Sequence, residues 1–147
     1  MLQQILDIVK ENAGDAIINN TAIPNKKNNA AIKATAGSIV KNLKKNAGSG
    51  NLESIMEVFQ GKGDASANPS INQVSGQVAG DLMKKFGLDQ KAASGIVQQL
   101  LPVVMKQLVK KTNDPKDSSI DLQDILGTLT KGSKGGGILG SFKGLFR

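Results

Sequence analysis

The chain has 147 residues, with 19 lysines and arginines against 12 aspartates and glutamates for a formal net charge of +7, and it contains neither cysteine nor histidine. Without cysteine there are no disulfides, thiolate nucleophiles or sulfur-ligated metals; without histidine the usual zinc ligand and the usual general base are both missing. A chain of this length buries roughly two-thirds of its unfolded surface, so one compact domain without covalent staples is the default.

Apolar residues recur at helical spacing almost throughout, and no segment alternates with a period of two, which predicts an all-α fold of about six or seven helices. In the opening MLQQILDIVKENAGD, residues Leu2, Ile5, Ile8 and Val9 form the buried stripe of a first helix that Gly14 ends, with a short second helix over 16–20. Asp7 and Glu11 interrupt this apolar pattern and no basic leader precedes it, so it does not read as a signal peptide and a cytoplasmic location is expected. Pro24 marks a boundary, after which a long helix from Asn25 to Lys45 presents Ile32, Ala36, Ile39, Val40 and Leu43 on one side. Asn46 and the following AGSG should stop it. Asn51 can cap a short helix through Phe59, with Leu52, Ile55, Met56 and Phe59 inward, before the GKGDASANPS linker.

Pro69 suits the first turn of a helix to Phe86, whose core candidates are Val74, Val78, Leu82, Met83 and Phe86, and Gly87 ends it. Asp89 can cap the next helix, which continues to about Lys111 and is apolar on nearly all sides through Ile96, Val97, Leu100, Leu101, Val103, Val104, Leu108 and Val109. A helix of that kind belongs in the centre of a fold. Its most apolar stretch, GIVQQLLPVVMKQLV, is broken by Gln98, Gln99 and Lys106 and falls short of the roughly 20 residues that span a bilayer, so no transmembrane helix is expected. After the polar TNDPKDSS comes a short helix from Asp121 to Leu129, with Leu122, Ile125, Leu126 and Leu129 inward.

A shift of 65 residues lays SIVKNLKK over VVMKQLVK, pairing Ile32 with Val97, Lys41 with Lys106, Leu43 with Leu108 and Lys45 with Lys110, and a further five-residue insertion brings LESIMEVF over LQDILGTL. The order long helix, long helix, short helix thus occurs twice, over 2–63 and 69–132. Internal duplication about a pseudo-twofold axis explains this, and so does the pattern common to all helical hairpins. Gly37 falls opposite Pro102, a shared weak point in the two long helices.

The second half, NPSINQVSGQVAGDLMKKFGLDQKAASGIVQQLLPVVMKQLVKKTNDPKDSSIDLQDILGTLTKG, resembles the YidB-like bacterial family, a domain of unknown function, in the form common in Bacteroidetes. The resemblance covers 2–132 loosely and 68–132 best, and MKKFGLD, LVKKTNDP and DLQDIL are its most specific words. It implies an all-helical fold with a homeodomain-like helix arrangement, and it brings no accepted activity and no catalytic residues. A homeodomain-like arrangement alone does not establish DNA binding.

Three constellations bear on chemistry. GTLTKGSK at 127–134 brushes the phosphate-loop pattern, but Ser133 precedes Lys134 and the segment follows a helix instead of a strand, so a linker is the better reading. Asp114, Asp117, Asp121 and Asp124 lack the glycine turn and closing glutamate of a calcium loop, and the last two suit a helix start, where negative charge complements the dipole. No serine and lysine stand in a recognisable nucleophile–base frame. No catalytic residue, cofactor, metal site or small-molecule substrate is therefore predicted, and the chain is not read as an enzyme.

Lysines cluster at Lys41, Lys44 and Lys45, at Lys84 and Lys85, and at Lys106, Lys110 and Lys111. Each cluster can line one strip of a helix and meet a phosphate backbone, with Lys41, Lys45, Lys106, Lys110, Lys111, Lys143 and Arg147 as the anion-binding candidates. A solvated helix face near a C-terminus accounts for them more simply, since cations are favoured there and no arginine precedes Arg147. Residues 1–132 thus form one helical domain, 131–137 a Gly/Lys/Ser hinge, and 138–147 an amphipathic segment. In ILGSFKGLFR, residues Ile138, Leu139, Phe142, Leu145 and Phe146 make a helix stripe with Lys143 and Arg147 off it, while Gly140 and Gly144 each weaken an isolated helix by about 1 kcal/mol. Such a segment becomes helical against a partner: its own domain, another copy of the chain, or an anionic membrane surface. Self-association into a homo-oligomer or filament is the leading expectation, with nucleic-acid binding and membrane binding as the alternatives.

Overall fold

A computed structural model describes residues 2–114, 116 and 121–130. The expectations for the 131–137 hinge and for the 138–147 segment, and the place of Asp117, lie outside the described residues. Six α-helices occur among those described, with no strand: α1 (Leu2–Glu11), α2 (Asn28–Asn46), α3 (Leu52–Phe59), α4 (Pro69–Phe86), α5 (Gln90–Thr112) and α6 (Leu122–Thr130). The fold is all-α. None of these helices is long and apolar enough to cross a membrane.

Helix α5 is central, as its all-round apolar pattern requires: it lies against α1, α3 and α4 and buries Ile96, Val97, Leu100, Leu101, Val104 and Leu108, with Ala93 and Met105 besides. Val103 and Val109 are only half-buried. From α2, residues Ile32, Ala36, Ile39, Val40 and Leu43 enter the same core, joined by Leu52, Ile55, Met56 and Phe59 of α3 and by Ile125, Leu126 and Leu129 of α6. Met83, Phe86 and Leu122 pack at its margin. Leu2 departs from the expected stripe: it stands at the first turn of α1, half exposed, while Ile5, Ile8 and Val9 are buried.

Several ends are set locally. The Asn68 side chain accepts from the backbone N–H groups of Ser70 and Ile71 at 2.9 and 3.2 Å, with Pro69 following in the first turn of α4. Asp89 accepts from Ala92 N–H at 2.7 Å to open α5. Asp121 and Asp124 exchange bonds with each other's backbone N–H at 3.1 and 2.8 Å, a reciprocal cap that starts α6. Gly87 stops α4 in the left-handed conformation, φ 65°, where a Cβ is unfavourable.

Three other ends differ from expectation in whole or in part. Gly14 does not end the first helical segment; α1 ends at Glu11 and the chain then coils through a π turn over Gly14–Ile18, closed by Asn19 N–H donating to Gly14 C=O at 2.8 Å. α2 does end at Asn46 with the AGSG after it, but not abruptly. Asn46 is a buried member of the helix, a second π turn over Ala47–Asn51 follows, and the chain reverses only at Gly50, φ 96°. Asn51 makes no side-chain cap, its amide being turned toward Gln73 instead at 3.4 Å.

The helix contacts exchange consistently between the halves. α1 lies on α2 as α4 lies on α5, α2 lies on α4 as α5 lies on α1, and α2 meets α6 as α5 meets α3. Both readings of the repeat, duplication and shared hairpin pattern, produce such a scheme. The first half's counterpart of α4 is broken into α1 and a π turn, whereas α4 runs unbroken for 18 residues. α2 and α5 are each continuous through Gly37 and Pro102, and Pro102 is exposed, as is Gln98, the residue whose carbonyl it leaves without an i+4 donor.

Candidate functional site

The polar chemistry of the domain concentrates where α2 and α4 run antiparallel. On α2, Ser38, Asn42 and Asn46 recur every fourth residue and therefore share one face; on α4, Gln73, Gln77 and Asp81 do the same. The faces meet in order. Ser38 Oγ donates to Asp81 Oδ2 at 2.6 Å and Asn42 Nδ2 donates to the same oxygen at 2.9 Å. Asn46 Nδ2 donates to Gln77 Oε1 at 2.7 Å, and Asn51 follows with Gln73. Ser38, Asn42 and Asn46 are all buried, and each amide also bonds backward along its own helix, Asn42 to Ser38 C=O at 2.9 Å and Asn46 to Asn42 C=O at 2.7 Å.

Asp81 anchors the seam. Burial pushes its carboxyl up, but the hydrogen bonds from Ser38 and Asn42 and the charge of Lys41, 3.6 Å away, together outweigh that and hold it below the usual carboxylate range. A carboxylate so held is a weak base, and the nearby hydroxyl already donates to it. The arrangement therefore fastens two helices and is poorly suited to proton transfer.

Above the seam α2 and α4 form the walls of an open cleft of about 650 Å³, with Lys33 and Lys41 on one side and Lys84 and Lys85 on the other. All four lysines are exposed. A second cleft of about 530 Å³ on α5 is bordered by Lys106, Lys110 and Lys111, with Gln107 and Asp114 beside them. Lys106 and Lys110 are exposed and Lys111 is half-buried.

The anion-binding candidates are thus divided. Lys41 joins Lys84 and Lys85; Lys106, Lys110 and Lys111 stay together on α5; Lys45 is exposed one turn beyond Lys41 and borders neither cleft. Lys143 and Arg147, like Ile138, Leu139, Phe142, Leu145 and Phe146, lie outside the described residues. Sequence reasoning missed Lys33 and the whole polar seam. The signal for the seam was present, three small or amide side chains at exact fourth-residue spacing opposite an i, i+4, i+8 polar row, but polar residues at that spacing also describe a solvated face.

A family model described as "Bacterial protein of unknown function (DUF937)" matches residues 70–147. The match takes in α4, α5 and α6 and continues through the segment 131–147, beyond the 68–132 range in which the resemblance was strongest. No curated protein and no solved structure matches the chain.

Proposed function

The chain belongs to the DUF937 family of bacterial proteins, and from that premise we propose that it is a non-enzymatic, cytoplasmic assembly module: a closed helical domain whose segment 138–147 docks on another copy of the chain. A contrast in apolar surface carries this reading. Among the described residues the only exposed large hydrophobics are Leu2 and Ile18, two side chains that make no sizeable contact face. The five apolar residues Ile138, Leu139, Phe142, Leu145 and Phe146, at helix spacing in a stretch without acidic residues, are a far richer contact. Burying them supplies on the order of 7 kcal/mol before ordering costs, enough to hold an assembly. That the family match runs through residue 147 also supports treating this segment as part of the shared unit.

Light scattering behind size exclusion tests it, comparing the full chain with one truncated after Thr130 at low and high salt. A salt-tolerant assembly that falls to monomer on truncation is expected. A monomer in every case overturns the reading. The rival, a nucleic-acid binder, draws on the exposed lysine faces and predicts retention on duplex DNA that is lost as salt rises and depends on Lys106 and Lys110. Membrane binding would instead appear as capture of the isolated 138–147 peptide by anionic vesicles.

A further inference from the structure

We propose that the cleft between α2 and α4 is a docking groove for an acidic amphipathic helix of a partner protein. Its α2 wall is built from Ala30, Ala34 and Gly37, spaced i, i+4, i+7 and partly or fully exposed. Side chains this small let a second helix backbone approach closely, and the spacing is that of a strip on which a helix can lie. Four exposed lysines rim the strip, two on each wall. The one carboxylate among them, Asp81, is bonded by Ser38 and Asn42 and lies 3.6 Å from Lys41, so it offsets that lysine's charge and leaves the positive field of Lys33, Lys84 and Lys85 for an incoming ligand to meet. An apolar floor with a cationic rim is complementary to a helix that is apolar on one stripe and acidic on its flanks.

Lys33 and Lys41 stand on α2 before its last turn, whereas Lys84 and Lys85 sit in the last turn of α4, where α1, α2 and α5 also carry lysines. Under the 65-residue shift, Lys84 and Lys85 correspond to Asn19 and Asn20, Lys33 to Gln98, and Gly37 to Pro102. The equivalent helical segment of the first half, Gly14–Ile18, has no basic residue in its last turn, whereas α4 has two. Lys41 alone of the rim has a lysine counterpart, Lys106; Lys33, Lys84, Lys85 and the floor glycine Gly37 are particular to this cleft. Segment 138–147 of the chain itself is a poor occupant, since its only charges, Lys143 and Arg147, repeat the sign of the rim. A nucleic acid fits less well too: the floor is apolar and the rim has no arginine to fork onto phosphates.

The test uses the full chain, isotope-labelled, and two fluorescent peptides of about five helical turns with the same leucine–alanine stripe, one flanked by glutamates and one by lysines. The glutamate peptide should bind saturably, at least about tenfold tighter than the lysine peptide, weaken as salt rises, and shift amides of α2 and α4. Gly37→Leu adds bulk to the floor at a position where an added Cβ meets nothing within 4 Å; with the amide spectrum of the variant confirming the fold, it should cost about tenfold in affinity. The double variant K84E/K85E, on exposed positions, should cost at least as much. Absence of binding overturns the proposal, as do equal binding of both peptides, indifference to both variants, or amide shifts confined to other helices. A short DNA duplex that occupies the cleft more tightly than the glutamate peptide would also overturn it. Peptide affinity, its charge preference and its response to the two variants are read by fluorescence whatever the oligomeric state, so this inference and the assembly reading stand or fall separately.

Discussion

Replacing Asp81 by alanine removes the acceptor that serves two buried donors at once, Ser38 Oγ at 2.6 Å and Asn42 Nδ2 at 2.9 Å. A hydrogen bond to a charged group contributes about 1.5–3 kcal/mol net, and stranding a buried donor costs about 1–3 kcal/mol. The losses do not simply add, because Asn42 keeps its bond to Ser38 C=O and the Ser38 hydroxyl can rotate. The Lys41 pair adds at most about 1 kcal/mol, since Lys41 is 67% exposed. We expect Asp81→Ala to destabilise by about 2–3 kcal/mol, measured by urea unfolding with an unchanged m-value. The conservative Asp81→Asn keeps one carbonyl acceptor and should lose about half as much. The folded carboxyl titrates below its unfolded value, so its stabilisation is complete above the unfolded pKa near 3.9 and is lost as pH falls through the lower folded pKa. The gap between the parent chain and Asp81→Asn should therefore be constant at neutral pH and close in the acid limb below about pH 4. An alanine variant within about 0.5 kcal/mol of the parent at pH 7 would refute the reasoning.

Glycine position should decide the sign of a methyl group. Gly87→Ala forces a Cβ into the left-handed conformation at the end of α4 and should cost about 1–2 kcal/mol, whereas Gly37→Ala, mid-helix with open space at the Cβ, should gain about 0.5–1 kcal/mol; thermal unfolding of the pair checks both. Asn68→Ala removes the cap of α4 and, with it, the bond from Asn68 Nδ2 to Ser54 C=O at 3.1 Å. It should lose about 1–2 kcal/mol, and Asn68→Asp, which preserves the capping acceptor, should lose less.

The helices were legible because their signals are local. A stripe of Ile32, Ala36, Ile39 and Leu43, or a cap such as Asp89 three residues before the amide it serves, is contained within one or two turns. The π turns were not, since nothing in GDAII or AGSGN distinguishes a wide turn from a helix end; what favours continued coiling is the burial of Ala16, Ile17 and Ala47 against the core. The polar seam was least legible. Its bonds join residues 22 to 43 positions apart, and an amide on α2 looks the same in sequence whether it faces water or Gln77. Leu2 erred in the opposite sense: it continues the apolar period at the first turn of α1, where no neighbouring helix covers it. Of the candidate site, the lysines were visible one helix at a time, and only the antiparallel pairing of α2 with α4 brought Lys33 and Lys41 opposite Lys84 and Lys85.

That pairing also shows what a buried polar seam does in a molecule with two similar halves. Apolar burial is non-directional, so α1 laid where α4 belongs, or α5 where α2 belongs, would hide comparable area. The polar groups do not permit the exchange. Under the 65-residue shift, Gln77 and Asp81 correspond to Asn12 and Ala16, while Ser38, Asn42 and Asn46 correspond to Val103, Gln107 and Lys111. Placing α1 against α2 in α4's register would set an alanine where Ser38 and Asn42 need a carboxylate, leaving buried donors without an acceptor. In the native arrangement the Asn12 amide is instead turned back to its own helix, donating to Ile8 C=O at 2.8 Å. The seam thus contributes specificity where the apolar pattern is nearly degenerate, the role in which buried polar groups are best attested. By fixing α2 against α4 in one register, it also fixes the walls of the cleft, so the same side chains that settle the fold position the lysines above it.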